Sequence, residues 1–339
     1  MFLRGTQGFL AVFLILYFIS KEYMEKKKKG LTLGIILLLL LGALTLGGAF
    51  YLLDFALCPS MVGVAEAESR VRRAYPQVSP WLDSLQQREA LRDTIILAPD
   101  GAKLHALYAS AKQPTARTAV IVHGYTDQAA EMLHIGYLYH HDLDYNILLP
   151  DLRYAGLTPG ESIQMGWKDR EDVAAWLEVA PQLFGDSVRM VVHGISMGAA
   201  TTMMLSGDSL PATVKCFVED CGYTSVWDQF EKELKGQFGL PAFPLLHTAS
   251  WLCDLKYGWN FREASALNQV KKCSLPMLFI HGDQDDYVPT WMVYELYQAK
   301  AEPKALWVTE GVDHAHSYQV YPEEYVRRVG TFTDQYLVR

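Results

Sequence analysis

The run Val191-Val192-His193-Gly194-Ile195-Ser196-Met197-Gly198-Ala199-Ala200 constrains this chain more than any other, because it sets a serine between two glycines, with apolar residues before it and small ones after it. Residues 188–192 predict a buried strand, and residues 198–204 the start of a helix packed closely upon it. A strand that turns at once into a helix brings the backbone on either side of the turn together. A Cβ two positions before or after the serine would then collide with its neighbours. The same turn thrusts the serine hydroxyl out of the sheet, where a base can reach it. The structural alternative is an ordinary strand-to-helix turn whose serine only caps the helix.

A serine hydroxyl is a poor nucleophile until a neutral imidazole takes its proton, and that imidazole needs a carboxylate to hold its tautomer and steady the cation that forms. Both partners follow Ser196 in the chain, each at the end of a strand-like run. The apolar run 276–281 breaks into an acidic turn containing Asp283, Asp285 and Asp286, and the run 305–309 ends in a loop containing His314 and His316. The order serine, acid, histidine is that of one serine-triad architecture and differs from the orders used by the others.

From about residue 92 to the end the chain resembles the α/β-hydrolase superfamily. Within it, the chain is similar to membrane-anchored bacterial α/β-hydrolases of the prolyl-oligopeptidase-type peptidase and esterase kind. The segments that carry the likeness are Val122-His123-Gly124-Tyr125, Leu149-Pro150-Asp151-Leu152-Arg153, the stretch from Met165 to Asp172, the serine turn, Glu219-Asp220-Cys221-Gly222-Tyr223 and both triad loops. The resemblance selects Asp285, because Gly282-x-x-Asp285-x-x-Val288-Pro289 matches the acid-loop pattern. It selects His314, which follows the Gly311-Val312-Asp313 turn. It also implies an oxyanion hole from the backbone N–H groups of Tyr125 and Met197, the latter at the positive end of a helix. His123 is expected to be a strand-end residue bonded to loop backbone. One departure stands out: relatives often continue after Arg153 with a Gly-His-Gly type turn, whereas this chain has Tyr154-Ala155-Gly156, which puts the shape of the pocket in question. The resemblance implies hydrolysis of an acyl bond, ester more than peptide, with no cofactor and no metal. The same triad would also serve an acyltransferase, and the fold alone would suit a catalytically silent interaction protein.

Strand-like runs at 93–98, 103–109, 118–123, 145–150, 188–193, 214–219, 276–281 and 305–309, with helical stretches such as 169–180 and 292–300 between the later ones, predict an α/β fold. The expected sheet is eight-stranded, mostly parallel and covered on both faces. Between Asp220 and Pro276 the chain is too long for one crossover helix and is rich in large rings, including Trp227, Phe230, Phe238, Trp251 and Phe261. A cap of two or three helices over the site, at about 224–270, accounts for it. Most of the rings should bury in the cap, and any that face the pocket favour an apolar acyl substrate.

The amino-terminal end sets the address. Residues 31–53 are apolar and free of charge, and about 23 residues is enough to span a bilayer core. Lys21 and Lys26 to Lys29 precede this run and Asp54 follows it, so the charge bias keeps the lysines in the cytoplasm and the catalytic domain outside. The expected organisation is a lysine-rich amino-terminal segment (1–30), a single anchor (31–53), a lead-in (54–92) and a hydrolase domain (93–339). A second apolar run, Gly8 to Ile19, is short for a span. It leaves open an interfacial segment, half of a helical hairpin, or translation starting at Met24.

A net charge of −8 with no basic domain-scale patch argues against nucleic acid as a partner; the partners expected are the small acyl substrate that the resemblance implies and the lipid bilayer that the apolar run 31–53 would enter. The five cysteines lack metal-site spacing. Cys216 and Cys221, an odd number of residues apart on one strand, should point to opposite faces, whereas Cys253 and Cys273 flank the end of the cap and leave a bridge open.

Overall fold

The computed structural model describes residues 29–337. The expectations about Gly8 to Ile19, Met24 and the lysines up to Lys28 lie outside these residues. The chain opens with one long helix, α1 (Lys29–Leu57), followed by two short amphipathic helices, α2 (Val64–Ala74) and α3 (Val78–Gln87). The strands are β1 (Arg92–Leu97), β2 (Lys103–Ala109), β3 (Arg117–Val122), β4 (Asn146–Pro150), β5 (Arg189–Ile195), β6 (Val214–Asp220), β7 (Met277–Gly282) and β8 (Lys304–Thr309). Each lies within two residues of its sequence expectation, because strand-length apolar runs bounded by turn residues are a local signal.

The strands form one sheet in the order β1-β2-β4-β3-β5-β6-β7-β8. The pairs β1–β2 and β2–β4 are antiparallel, and every pair from β4–β3 to β7–β8 is parallel. The central strands β4, β5 and β7 are buried almost throughout, as a parallel sheet covered on both faces requires. One face carries α5 (Asp169–Phe184), α6 (Met197–Leu205), the cap and α10 (Trp291–Ala299). The other carries α2, α3, the irregular 129–142 stretch with its short helix α4 (Leu133–Tyr137), α11 (Ser317–Val320) and α12 (Pro322–Leu337). The lead-in is therefore packed: Ala67, Val71, Val78, Leu82 and Leu85 are buried against the sheet.

The cap consists of α7 (Val226–Phe238), α8 (Leu245–Tyr257) and the short α9 (Ala266–Val270). Helix α1 runs along α8. From residue 45 onward it buries a stripe at helical spacing, with Ala49, Leu53 and Leu57 fully inside, whereas Leu37, Leu38, Leu39, Leu41 and Leu44 are exposed. The stretch Ile35–Leu57 has a mean hydropathy of 2.4. The helix continues past the expected end of the apolar run, and Ile163 N–H donates to Leu57 O at 2.8 Å, tying its last turn to the hydrolase domain.

The serine turn shows why both glycines are needed. A Cβ on Gly194 would run into the carbonyl oxygen of Gly198, and one on Gly198 would run into that of Val122. These are main-chain atoms of packed elements and cannot step aside. Gly198→Ala is expected to destabilise the fold by about 3 kcal/mol or more, a fall in Tm of roughly 6 °C or more. Thermal unfolding of the purified variant checks this, and a Tm equal to that of the parent would show that the turn is not as tight as described.

Candidate active site

Ser196 sits between β5 and α6 with φ 56° and ψ −118°, a conformation that is costly for any residue with a Cβ. Its N–H donates to Asp220 O at 2.8 Å, which locks the turn onto β6. The hydroxyl is thereby held at the carboxyl end of the parallel strands. His314, on the loop after β8, places Nε2 2.8 Å from Ser196 Oγ. Its Nδ1 lies 2.7 Å from Asp285 Oδ2, on the loop after β7. The three residues named from the sequence are thus joined by two hydrogen bonds, although they come from three separate loops.

Asp285 is buried and well supplied with donors. Oδ1 accepts the N–H groups of Tyr287 at 3.0 Å and Val288 at 2.8 Å. Oδ2 also faces His281 Nε2 at 3.3 Å, and that nitrogen donates to Val288 O at 2.8 Å. Burial alone would raise this carboxyl, but the bonds from His281 and His314 outweigh it and hold it at about 2. It is therefore ionised throughout the neutral range, with the lone pairs of Oδ2 turned toward Nδ1–H of His314. The ring of Tyr287 stands edge-on to His314, with centroids 4.9 Å apart, and limits the imidazole's rotation.

The alternatives are placed elsewhere. Asp283 is exposed and accepts Gly311 N–H at 2.7 Å, and Asp286 is exposed. His316 is exposed and pairs with Asp313 at 2.5 Å. Met197 follows Ser196 directly, and Tyr125 lies on a neighbouring loop. A Cβ built on Gly124 would lie 3.6 Å from Ser196 Cβ, so the loop carrying Tyr125 passes beside it. Neither Tyr125 N–H nor Met197 N–H has a hydrogen-bond partner among the described residues. The Tyr125 hydroxyl is engaged, however: it donates to Ala56 O of α1 at 2.7 Å. His123 is a buried structural residue, its Nδ1 donating to Gly124 O at 2.8 Å and its Nε2 accepting Leu152 N–H at 2.9 Å.

Several of the segments that carried the sequence resemblance are supports for this loop cluster. Asp151 is buried and accepts from Ala129 N–H, Leu157 N–H and His105. Arg153 forks onto Asp172 at 2.7 and 2.8 Å. The Tyr154-Ala155-Gly156 turn closes on Asp151, where Gly156 at φ +54° leaves no room for a Cβ, and Tyr154, half-buried, packs against the core. Three contributors were not foreseen: His281 behind the acid, Tyr287 against the imidazole, and Cys221. The thiol of Cys221 lies within 4.8 Å of the donor atoms of Asp285 and His314. Burial pushes it well up, so it stays protonated, and a metal there would have to break the His314–Asp285 bond. Cys216 and Cys221 border the same cluster and do not point to opposite faces, because Cys221 lies past the end of β6 in the left-handed region at φ 54°. All five cysteines are free, Cys253 and Cys273 included.

An apolar cavity of about 230 Å³ lies under the cap and reaches Tyr125 and Tyr287 beside the triad. Its walls come from α1, α7 and α8, with Met165 and Phe261.

This sheet order, with a nucleophile turn after β5 and acid and histidine loops after β7 and β8, defines a serine hydrolase of the α/β-hydrolase fold. The chain belongs to the prolyl oligopeptidase family, whose model matches residues 161–338. It is 31% identical over 227 residues to the uncharacterized protein YqkD of Bacillus subtilis, covering 67% of this chain and 74% of that one. Among solved structures it is similar to an esterase of Pyrococcus furiosus, at a TM-score of 0.59 and 24% identity, over 73% of this chain and 93% of that chain. It is also similar to the acylaminoacyl peptidase of Pyrococcus horikoshii, at a TM-score of 0.52 and 19% identity, over 72% of this chain and 40% of that one. At these identities the solved structures bear on the fold alone.

Proposed function

We propose that this chain is a membrane-anchored serine hydrolase that cleaves an ester of an apolar acyl group through Ser196, His314 and Asp285. The observation that carries the proposal is the unbroken chain of two short hydrogen bonds, 2.8 and 2.7 Å, from hydroxyl to imidazole to an ionised carboxylate. Ser196 Oγ attacks the carbonyl carbon as its proton passes to His314 Nε2, and Asp285 steadies the imidazolium. The N–H groups of Tyr125 and Met197 receive the developing oxyanion. Collapse expels the alcohol, which takes the proton from His314, and leaves the acyl group on Ser196. Water, deprotonated by the same imidazole, then releases the acid.

The apolar cavity under the cap supports an apolar acyl group, since hydrocarbon buried there gains about 0.8 kcal/mol per methylene. Helix α1, with its exposed leucines, supports a single membrane anchor, and the lysines before it support a catalytic domain on the extracytoplasmic side. A panel of p-nitrophenyl esters tests the acyl preference: kcat/KM is expected to rise by about fivefold or more between acetate and octanoate. A flat or falling profile would reject an acyl site in this cavity.

A further inference from the structure

We propose that α1 is a working wall of the substrate site as well as an anchor, and that the substrate is an acyl ester of a bilayer lipid, drawn sideways from the membrane into the cavity. This rests on the hydrolase reading above.

The cavity wall joins two parts of the chain that are far apart in sequence. Leu52, Phe55 and Ala56 of α1 and Phe230, Leu234 and Phe238 of α7 all line it. Phe55 and Phe238 touch edge to face with centroids 6.2 Å apart, and both are partly exposed. One side of the cavity is thus the last turns of the same helix whose earlier turns expose Leu37, Leu38, Leu39, Leu41 and Leu44. Among the described residues none covers those leucines, and an apolar helix surface of that size demands hydrocarbon around it. The cavity therefore begins where the helix leaves the hydrocarbon.

The cap beside α1 is built for the same surroundings. Phe243 is 72% exposed, Trp251 55% and Leu255 67%, the last two one turn apart on the helix that packs along α1. Lys256 sets its ammonium 5.6 Å from the Phe50 ring centroid and 4.7 Å from that of Tyr257, a cation beside aromatics at the end of an apolar helix. Aromatic rings with a snorkelling lysine mark the headgroup level of a bilayer. Phe238 of the cap meets Phe55 of the helix itself, and α8, which carries Trp251 and Leu255, packs along that helix. A bilayer is the occupant that covers both at once.

The cavity also reaches the loop beside Ser196. Tyr125 lines the cavity, carries one of the two free N–H groups beside Ser196, and holds Ala56 O through its hydroxyl. The position of α1 therefore also sets the loop that is to receive the oxyanion. A lipid acyl chain sliding along α1 would bring its ester carbonyl to Ser196. The headgroup alcohol would leave with the proton from His314, and water would release the fatty acid, so that one ester and one water yield one acid and one alcohol.

The test uses the full chain in phosphatidylglycerol–phosphatidylcholine nanodiscs. Fluorophosphonate labelling reads the hydrolase reading separately: an unlabelled protein would sink that reading and this inference with it. When an aliquot of the preparation labels, the unlabelled remainder is assayed: hydrolysis of a long-chain fluorogenic diacylglycerol embedded in the disc is expected to exceed that of the matching water-soluble acetyl ester by about tenfold or more. Leu52→Trp, which fills the cavity, and Phe55→Ser, which unmakes its wall at an exposed position, are each expected to lower that ratio by about tenfold. If the parent prefers the soluble ester, or if both variants label and keep the parent ratio, α1 is an anchor only and the inference is overturned.

Discussion

Ser196→Ala is expected to lower kcat for any ester substrate by about 10⁵–10⁶-fold, because hydroxyl and imidazole act as a unit and removing either leaves only binding and the oxyanion donors. Fluorophosphonate labelling should vanish in the same variant. The fold should survive, with Tm within a few degrees of the parent, since alanine keeps the Cβ that already stands at φ 56° and loses only the bond to His314 Nε2. The comparison is made on protein of equal Tm with the best ester of the panel. Residual activity within tenfold of the parent would place the nucleophile elsewhere and remove the proposed mechanism.

Asp285→Asn is expected to lower kcat by about 10⁴-fold while the serine remains in place. If the introduced amide keeps its carbonyl oxygen toward Tyr287 N–H and Val288 N–H, its NH2 faces Nδ1 of His314 and Nε2 of His281. His314 must then present Nδ1 as an acceptor and carry its proton on Nε2, where it can no longer take one from Ser196. The substitution also has a cost in stability. The carboxyl of Asp285 is held at about 2, below its ordinary value of 3.8, so its stabilising contribution is in place above about pH 4 and is lost as the pH falls through about 2. At neutral pH this amounts to about 2 kcal/mol. The variant should therefore unfold earlier than the parent at pH 7, with the gap closing near pH 2. Rate measurements at neutral pH and thermal scans across that window check both parts. An unchanged kcat would assign the acid to another residue.

Much of this site was legible from the chain. The eight strands announced themselves as short apolar runs, and Gly194, Ser196 and Gly198 announced a turn that only glycine allows. The ends of two strands offered several acids and two histidines, and the resemblance of their loops to the hydrolase patterns selected Asp285 and His314 among them. His281 was harder to find, since a histidine at the end of a buried strand looks the same whether it packs or supports an acid. Cys221 was misplaced because nothing in Asp220-Cys221-Gly222 marks the residue at which β6 gives way to a left-handed turn.

What the sequence by itself determined is what short-range patterns encode: strand and helix periods, the sterics of the serine turn, and a helix long and apolar enough to cross a bilayer. Only the tertiary structure decided that Tyr125 reaches across to Ala56, that the lead-in packs on the sheet, and that the last turns of α1 close the cavity beside the triad. Those are contacts between distant segments, selected by how whole surfaces fit together, and no local pattern records which apolar face will meet which.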